Sequence, residues 1–474
     1  MLITLKFPIS RRRDDFRLDD FSQELDNYLS WFSLKVWKFY LSKNKFDLNS
    51  RRDFIKKASA TTASLMAWPL IDPSFSREMS LRLANASSAA PSDIASDEDF
   101  WSWVRHQYTA SSTLINLNNG GVSPHPKVVQ DAVQRFTEVS NEAPSYYMWR
   151  IFEKGRERIR EKLADLAGVD AEEIAINRNT TEALDTIIFG IDMRKGDEFV
   201  TSNFVYPNMN QAWMQREMRE GLVRKVAKLP MPSTDTAAIV KAYTDVFTSK
   251  TKVVLIEHVV NWTGQVLPVR AIADEAKKRG ITVIVDGAHS FAHINFKIPD
   301  LNCDYFGTSL HKWLCAPFGT GMLWMHKDRI ENHWALFPGP EPKSTDIRKF
   351  EAQGTRDIPA EMAIGQAIDF HLSIGADRKF ARLHYLKQYW VERVKDVEGI
   401  QFWCPESPDF SGALTTFGIQ GVEGSDLGSE IWKSARIHTT SIKHEGVNGV
   451  RVTPNIYTSI EDLDRLVEAV RNRP

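Results

Sequence analysis

Short apolar runs alternate with helical stretches from Asp97 onward, and this alternation predicts an α/β fold. The runs Lys252–Ile256 and Ile281–Val285 are continuous and rich in β-branched residues, as in strands that are buried on both faces. Between them, Val269–Arg279 has the pattern of a helix that ends at Gly280. This strand–helix–strand unit predicts a parallel sheet with a right-handed crossover.

Further strands are predicted at Tyr305–Thr308 and Ile174–Ile176, and a helix is predicted at Thr181–Gly190. In open α/β sheets, ligands bind beyond the carboxyl ends of the strands. This rule predicts a binding site at one edge of the sheet, where polar clusters follow the predicted strands at residues 177–181, 258–261, 286–289 and 309–312.

The composition is that of an ordinary globular protein. The chain has 474 residues, 42% of them hydrophobic and 26% charged, which suits one large or two medium domains. A formal net charge of −1 gives no reason to expect nucleic acid as a partner. No apolar run reaches the roughly 18 residues that a membrane span needs. The cysteines Cys303, Cys315 and Cys404 form no CxxC pair, so we expect neither a disulfide framework nor a metal site.

The first ninety residues carry a targeting pattern. Ser50–Lys56 (SRRDFIK) resembles a twin-arginine export signal, and an apolar stretch at Ala58–Leu70 and small residues at Ala84–Ala86 follow it. We therefore expect the twin-arginine machinery to export the protein, to the periplasm or beyond; a cytoplasmic location is the alternative. Residues 49–90 are then signal and linker. Residues 1–48 are either a true extension or the result of a start site assigned too far upstream.

Asp286 and Lys312 each follow a predicted buried strand. Enzymes that use pyridoxal 5′-phosphate (PLP) need a lysine that forms a Schiff base with the cofactor aldehyde and a carboxylate beside the pyridine nitrogen. Partial burial lowers the pKa of such a lysine enough for it to attack. Taken singly, Asp286 is a helix cap and Lys312 a surface lysine. Their shared position at the carboxyl ends of strands favours a cofactor site.

Three motifs in order, Asp286–His289 (DGAH), Ser309–Trp313 (SLHKW) and Gly319–Gly321 (GTG), resemble those of class V of the fold-type I aminotransferases. The resemblance runs from about Asn116 to Val470. It implies PLP as the cofactor and an α/β fold with a mostly parallel central sheet. The implied parts are an N-terminal segment that packs with the small domain (97–124), a large PLP-binding domain (125–340) and a smaller α+β C-terminal domain (341–474).

The resemblance implies that Thr180 and Thr181 bind the cofactor phosphate at a helix N-terminus, which suits an anion. Ser309 and His311 would add phosphate contacts. A plain helix cap is the alternative for the threonines. Thr355, in the segment Gln353–Arg356 (QGTR), would reach the phosphate of the neighbouring subunit, which implies a homodimer with shared active sites.

The cofactor ring has its own implied contacts. Tyr206 would stack on the pyridine, Asn261 would bond the phenolic oxygen, and His289 would lie near that oxygen and the Schiff base. Lys312 is the implied catalytic residue and Asp286 the partner of the pyridine nitrogen. A buried, hydrogen-bonded histidine is the alternative for His289.

Three residues are implied in substrate binding: Asn119, Arg356 and Arg451. Arg451 would hold the substrate carboxylate, since the planar guanidinium binds a carboxylate through two hydrogen bonds. A structural salt bridge is the alternative for Arg451. The loop of Asn119 would line the substrate pocket, although its glycines, Gly120 and Gly121, also suit a tight turn.

The sequence NNGG at residues 118–121, the tyrosine at 206 and the sequence GTRD at 354–357 resemble the isopenicillin-N-epimerase-like branch of the family. This resemblance predicts an enzyme that removes the α-proton of an amino acid or amine, as an aminotransferase or an epimerase-like enzyme. Cysteine desulfurases of the class carry a catalytic cysteine on a loop that corresponds to residues 436–449, and this chain has none there. The alternatives are a C–S lyase or desulfurase-like enzyme without that cysteine, and a non-catalytic PLP-fold binding protein.

Overall fold

The structure, a computed structural model, describes residues 90–473. The predicted extension at residues 1–48 and the predicted twin-arginine signal therefore lie outside the described residues. Within residues 90–473, no helix is both long enough and apolar enough to cross a membrane.

Strands and helices alternate along the described chain. The strands are β1 (Ile115–Asn116), β2 (Ile174–Asn177), β3 (Glu198–Ser202), β4 (Val223–Ala227), β5 (Thr251–Glu257), β6 (Thr282–Asp286), β7 (Tyr305–Ser309), β8 (Gly321–Met325), β9 (Ile400–Phe402), β10 (Thr415–Ile419), β11 (Ile437–His438), β12 (Thr440–His444) and β13 (Val447–Val452).

The α-helices are α1 (Pro91–Ala95), α2 (Glu98–Arg105), α3 (Lys127–Glu142), α4 (Pro144–Tyr146), α5 (Glu153–Ala167), α6 (Thr180–Gly190), α7 (Pro207–Glu220), α8 (Thr236–Thr244), α9 (Val269–Lys277), α10 (Lys327–Ile330), α11 (Ile358–Met362), α12 (Ile364–Ile374), α13 (Ala376–Val394), α14 (Gly424–Ala435) and α15 (Ile460–Arg471). A π-helical segment at Tyr147–Phe152 joins α4 to α5. Short 3₁₀ helices occupy Ala171–Glu173, Ile298–Leu301, Ile347–Glu351 and Pro408–Phe410.

A seven-stranded sheet in the order β2-β8-β7-β6-β5-β3-β4 holds the centre of the fold. Strand β8 runs antiparallel to its neighbours β2 and β7. The pairs β3–β4, β3–β5, β5–β6 and β6–β7 are all parallel. The predicted mostly parallel central sheet is therefore confirmed, and the carboxyl ends of its parallel strands meet at one edge.

The predicted elements are present and differ from the observed ones at their ends. The strand predicted at Lys252–Ile256 is β5, which extends by one residue at each end. The helix predicted to reach Arg279 is α9, which ends at Lys277. The chain leaves the helix through a turn, because Gly280 adopts a φ of +68° that residues with a side chain rarely adopt.

A second, four-stranded antiparallel sheet in the order β12-β13-β10-β9 lies in the C-terminal part of the chain. Helices α13, α14 and α15 pack on it through an apolar cluster that includes Trp390, Ile431 and Leu466. The predicted smaller α+β part is thus confirmed as architecture, while the domain boundaries near residues 125 and 341 stay predictions.

The N-terminal segment is attached to this C-terminal part by backbone pairing. Strand β1 pairs in parallel with β11, and Asn118 bridges to Thr453 just beyond β13. The following turn is close-packed, since a side chain added at Gly120 would lie 3.0 Å from Thr453 and 3.4 Å from His289. The pairing therefore holds the turn at residues 118–121 against the edge of the central sheet.

Candidate active site

The carboxyl ends of the central strands border a cavity of about 250 Å³. Most of the predicted site residues line this cavity, and they come from turns and strand ends that are far apart in the sequence. The predicted residues found there are Thr180, Thr181, Tyr206, Asn261, Asp286, His289, Ser309, His311, Lys312 and Arg451.

Lys312 projects into the cavity from the turn that follows β7. Burial lowers the pKa of its ammonium to about 8, and the nearby Arg451 acts in the same direction, while Asp286 opposes the shift. The Lys312 Nζ lies 3.4 Å from Nε2 of His289. The amine can therefore lose its proton at a pH close to neutrality.

Asp286 is the last residue of β6 and is buried. Its Oδ1 accepts a hydrogen bond of 2.9 Å from the backbone N–H of Ala288. Burial raises the pKa of the carboxyl, while that hydrogen bond and the charge of Lys312 lower it. The turn needs glycine at position 287, because a side chain there would collide with the ring of Phe306.

The geometry around His289 indicates its tautomer. The indole N–H of Trp313 donates to Nδ1 of His289 at 3.4 Å, so Nδ1 acts as the acceptor. In the neutral ring the proton then sits on Nε2, the atom that faces Lys312. Burial holds the pKa of His289 well below its usual value. A neutral His289 can thus donate to the neutral amine of Lys312.

The start of helix α6 forms an anion-binding end of the cavity. Asn179, rather than a threonine, caps the helix, and its side chain accepts from the backbone N–H of Glu182. The backbone N–H of Thr180 donates to Ser309 Oγ at 2.9 Å, and the two hydroxyls lie 2.7 Å apart. Because a helix N-terminus carries a partial positive charge, these hydroxyls and N–H groups suit a phosphate.

His311 adds to this end of the cavity. Its Nδ1 donates to the carbonyl oxygen of Thr320 at 3.0 Å. This hydrogen bond fixes the orientation of the ring and does not involve Nε2. Burial lowers the pKa of His311 to about 4. Close packing supports the same turn, since a side chain at Gly321 would meet the backbone N of Asn179 at 2.5 Å.

Arg451 is a buried cation without an acidic partner in the described part of the chain. Its Nη1 donates to the carbonyl oxygen of Asn261 at 2.9 Å, and its Nη2 donates to Oδ1 of Asn118 at 3.1 Å. The Nε is buried and makes no hydrogen bond to the described residues. Burial lowers the pKa of the guanidinium to about 10. The alternative of a structural salt bridge has no carboxylate here to support it.

The structure does not bring Asn119 to the cavity. Its amide N–H groups donate to the carbonyl oxygens of Thr453 and Asn116, at 2.8 and 3.1 Å. Its Oδ1 accepts from the hydroxyl of Tyr457 at 2.6 Å. The fully buried Asn119 therefore holds the turn together, and its neighbours Gly120 and Gly121 line the cavity in its place.

Arg356 and Thr355 also lie away from the residues that line the cavity. The Arg356 guanidinium donates to the Glu361 carboxylate at 2.8 Å and to the carbonyl oxygen of Glu351 at 2.9 Å, so it takes part in a buried ion-pair network. Thr355 is exposed. Its contact with the phosphate of a neighbouring subunit stays a prediction.

The sequence assigned no role to Glu257 or Asn118, two polar residues that contribute to the site. Glu257 ends β5 as Asp286 ends β6, and its buried side chain lines the cavity. An acidic residue directly after the apolar run of β5 was the available signal. Asn118 accepts from Arg451, and nothing in the sequence distinguishes its role from that of Asn119.

Comparison with known proteins agrees with this geometry. Residues 115–466 match the aminotransferase class-V family, and the chain belongs to that family. Over 388 residues it is 29% identical to isopenicillin N epimerase of Streptomyces clavuligerus, covering 78% of this chain and 97% of the relative. Over 390 residues it is 30% identical to isopenicillin N epimerase of Amycolatopsis lactamdurans, covering 78% and 98%.

Solved structures show the same fold at lower identity. The apo cysteine desulfurase of Thermococcus onnurineus NA1 superposes with a TM-score of 0.68 at 22% identity, covering 79% of this chain and 97% of that chain. A C-DES mutant with glycine covalently linked to its PLP cofactor superposes with a TM-score of 0.69 at 19% identity, covering 78% and 99%. The protein therefore has the fold-type I architecture.

The half-buried Lys312 predicts a pH-dependent change in stability. The folded-state pKa of Lys312, about 8, lies below the ordinary 10.5, so burial of the charged ammonium destabilises the folded state. This destabilisation is complete below pH 8 and vanishes as the pH rises to 10.5. Lys312→Met should raise the free energy of unfolding at pH 7 by about 2 kcal/mol, less than the full linkage value because the side chain is partly exposed. Urea denaturation of the full chain without added ligands measures it. The exposed Lys327→Met is the control, and an advantage that persists at pH 11 would contradict the expectation.

Proposed function

We propose that this protein is a PLP-dependent enzyme that removes the α-proton of an amino acid or amine, as an aminotransferase or an epimerase-like enzyme. The observation that carries the proposal is that Asp286, Lys312 and Arg451 share one cavity with the hydroxyls and N-terminal N–H groups at the start of α6. Similarity to two isopenicillin N epimerases supports the epimerase-like choice.

The residues of the cavity fit the cofactor. The hydroxyls of Thr180 and Ser309 would hold its phosphate, and Asp286 would pair with its pyridine nitrogen. The buried side-chain oxygen of Asn261 makes no hydrogen bond to the described residues, which leaves this acceptor free for a ligand. Tyr206 offers a flat, exposed ring at the cavity wall. The cavity thus places polar groups where such a ligand would need them.

When bound, PLP supplies an electron-accepting ring that stabilises negative charge at the substrate α-carbon. Lys312 loses its proton near neutral pH and can then take up the α-proton at Nζ. His289 holds that amine through Nε2. Asp286 would keep a proton on the pyridine nitrogen of the bound cofactor. Arg451 orients the substrate by binding its carboxylate, because the guanidinium has no acidic partner of its own in the described residues.

The environment of the cysteines disfavours a persulfide-forming enzyme. Cys303, Cys315 and Cys404 are all buried, and burial raises the pKa of the Cys303 and Cys404 thiols, which disfavours the reactive thiolate. A C–S lyase that needs no cysteine remains the alternative reaction. A non-catalytic binding protein is the second alternative, and it gives no reason to keep both Asp286 and Lys312 in the cavity.

Reconstitution of the purified full chain with PLP tests the cofactor and its attachment point. We expect a visible absorbance band, and borohydride should fix the cofactor on the peptide that contains Lys312, as read by mass spectrometry. Lys312→Ala should lose covalent attachment, while the exposed Lys327→Ala should retain it. Amino acids and amines added one at a time should change the band where they are substrates. A protein that stays colourless and takes up no PLP would refute the proposal.

The role of Arg451 predicts a selective loss of affinity. Arg451→Gln removes a charge-assisted, two-bond contact, which should raise KM for amino acids about 100-fold with a smaller effect on kcat. Amines without a carboxylate are the matched substrates, and their KM should change less than about threefold. Steady-state kinetics on both series measure the difference. An equal rise in KM for both would show that Arg451 does not bind the carboxylate.

We also propose export through the twin-arginine pathway, on the basis of Ser50–Lys56 and the apolar stretch that follows it. A reporter that folds before export, fused after residues 49–90, should reach the periplasm of a bacterial host. Replacement of Arg51 and Arg52 by lysine should keep the reporter in the cytoplasm. Export that is insensitive to this replacement would contradict the pathway.

A further inference from the structure

Two acidic residues end neighbouring strands at the floor of the cavity. Glu257 and Asp286 are direct partners in the parallel register of β5 and β6. Side chains at paired positions of parallel strands point to the same face of the sheet. Both residues line the cavity, and both are buried, with 2% and 6% of their surfaces exposed. The cavity floor therefore holds two carboxyl groups side by side, and only Asp286 has a role in the proposed function.

The two carboxyl groups have unequal partners. Asp286 accepts the backbone N–H of Ala288 and is close enough to Lys312 for its charge to act on it. Oε2 of Glu257 accepts a hydrogen bond of 2.8 Å from the hydroxyl of Ser202. Oε1 of Glu257 is buried and makes no hydrogen bond to the described residues. Among residues 90–473, the charge of Lys312 thus stabilises the ionised form of Asp286, and no cation does the same for Glu257.

In the described part of the chain, the groups that interact with the Glu257 carboxyl carry no positive charge. They are Asp286 on β6, Ser202 on β3 and the buried hydroxyl of Tyr243 on α8. Two neighbouring carboxyl groups in a desolvated site cannot both ionise readily, so a proton stays on the one with the weaker support. Burial and the charge of Asp286 raise the pKa of Glu257 to about 7.

We propose that Glu257 is a positioning residue that stays protonated beside Asp286, so that Asp286 alone carries the negative charge at the floor of the cavity. As a neutral acid, Glu257 keeps the hydrogen bond that its Oε2 accepts from Ser202, and a proton on the unpartnered Oε1 removes an uncompensated charge from the buried site. The proposal rests on the proposed function in one respect: a single, fixed charge is what the pyridine nitrogen of PLP requires.

The proposal predicts how stability depends on pH without any cofactor. The folded-state pKa of Glu257, about 7, lies above the ordinary 4.5, so the contribution of Glu257 to stability falls as the pH rises through this window. In Glu257→Gln that contribution cannot fall, because the amide does not ionise. The free energy of unfolding of the variant relative to wild type should therefore rise with pH between 4.5 and 7, while Asp185 and the buried histidines titrate alike in both proteins. Urea denaturation of the ligand-free full chain at several pH values between 4.5 and 8 measures the difference. The same change at the exposed Glu468, Glu468→Gln, is the matched control and should keep the wild-type pH profile.

A second variant keeps the test decisive if Glu257→Gln does not fold. Ser202→Ala removes the hydroxyl that supports the ionised form of Glu257, so the pH window of the stability loss should move upward. Either the loss of the fall in Glu257→Gln or this upward movement supports the proposal. A Glu257→Gln variant with the wild-type pH profile would overturn it, and so would an unmoved window in Ser202→Ala when the first variant fails to fold.

Cofactor binding separates this proposal from the proposed function. Glu257→Gln should bind PLP within about threefold of the wild-type affinity, since a neutral amide replaces a neutral acid, whereas Asp286→Asn should lose about tenfold or more because it removes the charge. A wild-type chain that binds no PLP would refute the proposed function and leave the pH experiment interpretable. If the wild-type chain binds PLP and Glu257→Gln loses as much affinity as Asp286→Asn, the proposed role of Glu257 is refuted. The proposed function would then stand.

Discussion

The desolvation of Lys312 is the constraint on which the site depends. An ammonium placed in a buried cavity loses the hydration that stabilises its charge, and the protein offsets this loss only in part through Asp286. The parallel alignment of β6 and β7 makes this possible, because it brings the ends of both strands to one edge of the sheet. Because Asp286 offsets only part of the desolvation, the pKa of Lys312 stays low and the amine can lose its proton near neutral pH. A lysine that was fully compensated by a carboxylate would keep its proton.

A second cation enters the same cavity from the other sheet. Arg451 lies on β13, in the C-terminal antiparallel sheet, and two neutral oxygens from Asn118 and Asn261 hold its guanidinium. Neutral acceptors fix the direction of the group without cancelling its charge. The pairing of β1 with β11 is therefore more than structural support, because it places the turn that contains Asn118 where it can orient Arg451.

The sequence predicted which residues line the cavity where a residue follows directly from a strand end or a helix start, as for Asp286, Lys312 and Thr180. It did not predict the direction of a single side chain within a turn. Asn118 and Asn119 are adjacent and chemically identical. Asn118 accepts a hydrogen bond from Arg451, whereas the side chain of Asn119 is hydrogen-bonded to Thr453 and Tyr457. Backbone torsions within that turn decide between them, and no periodicity in the sequence reports those torsions.

Hydrophobic periodicity by itself determined the strand–helix–strand units, the mostly parallel sheet and the edge at which polar residues gather, since these depend on local burial patterns. The ordered motifs identified the chemistry of Lys312 and Asp286. Only the tertiary structure decided which charges share a desolvated space. It placed Glu257 beside Asp286, and it bound Arg356 into an ion pair with Glu361 while leaving Arg451 without an acid in the described residues. The pKa of a buried group depends on the groups that surround it in the fold, and those groups are distant in the chain.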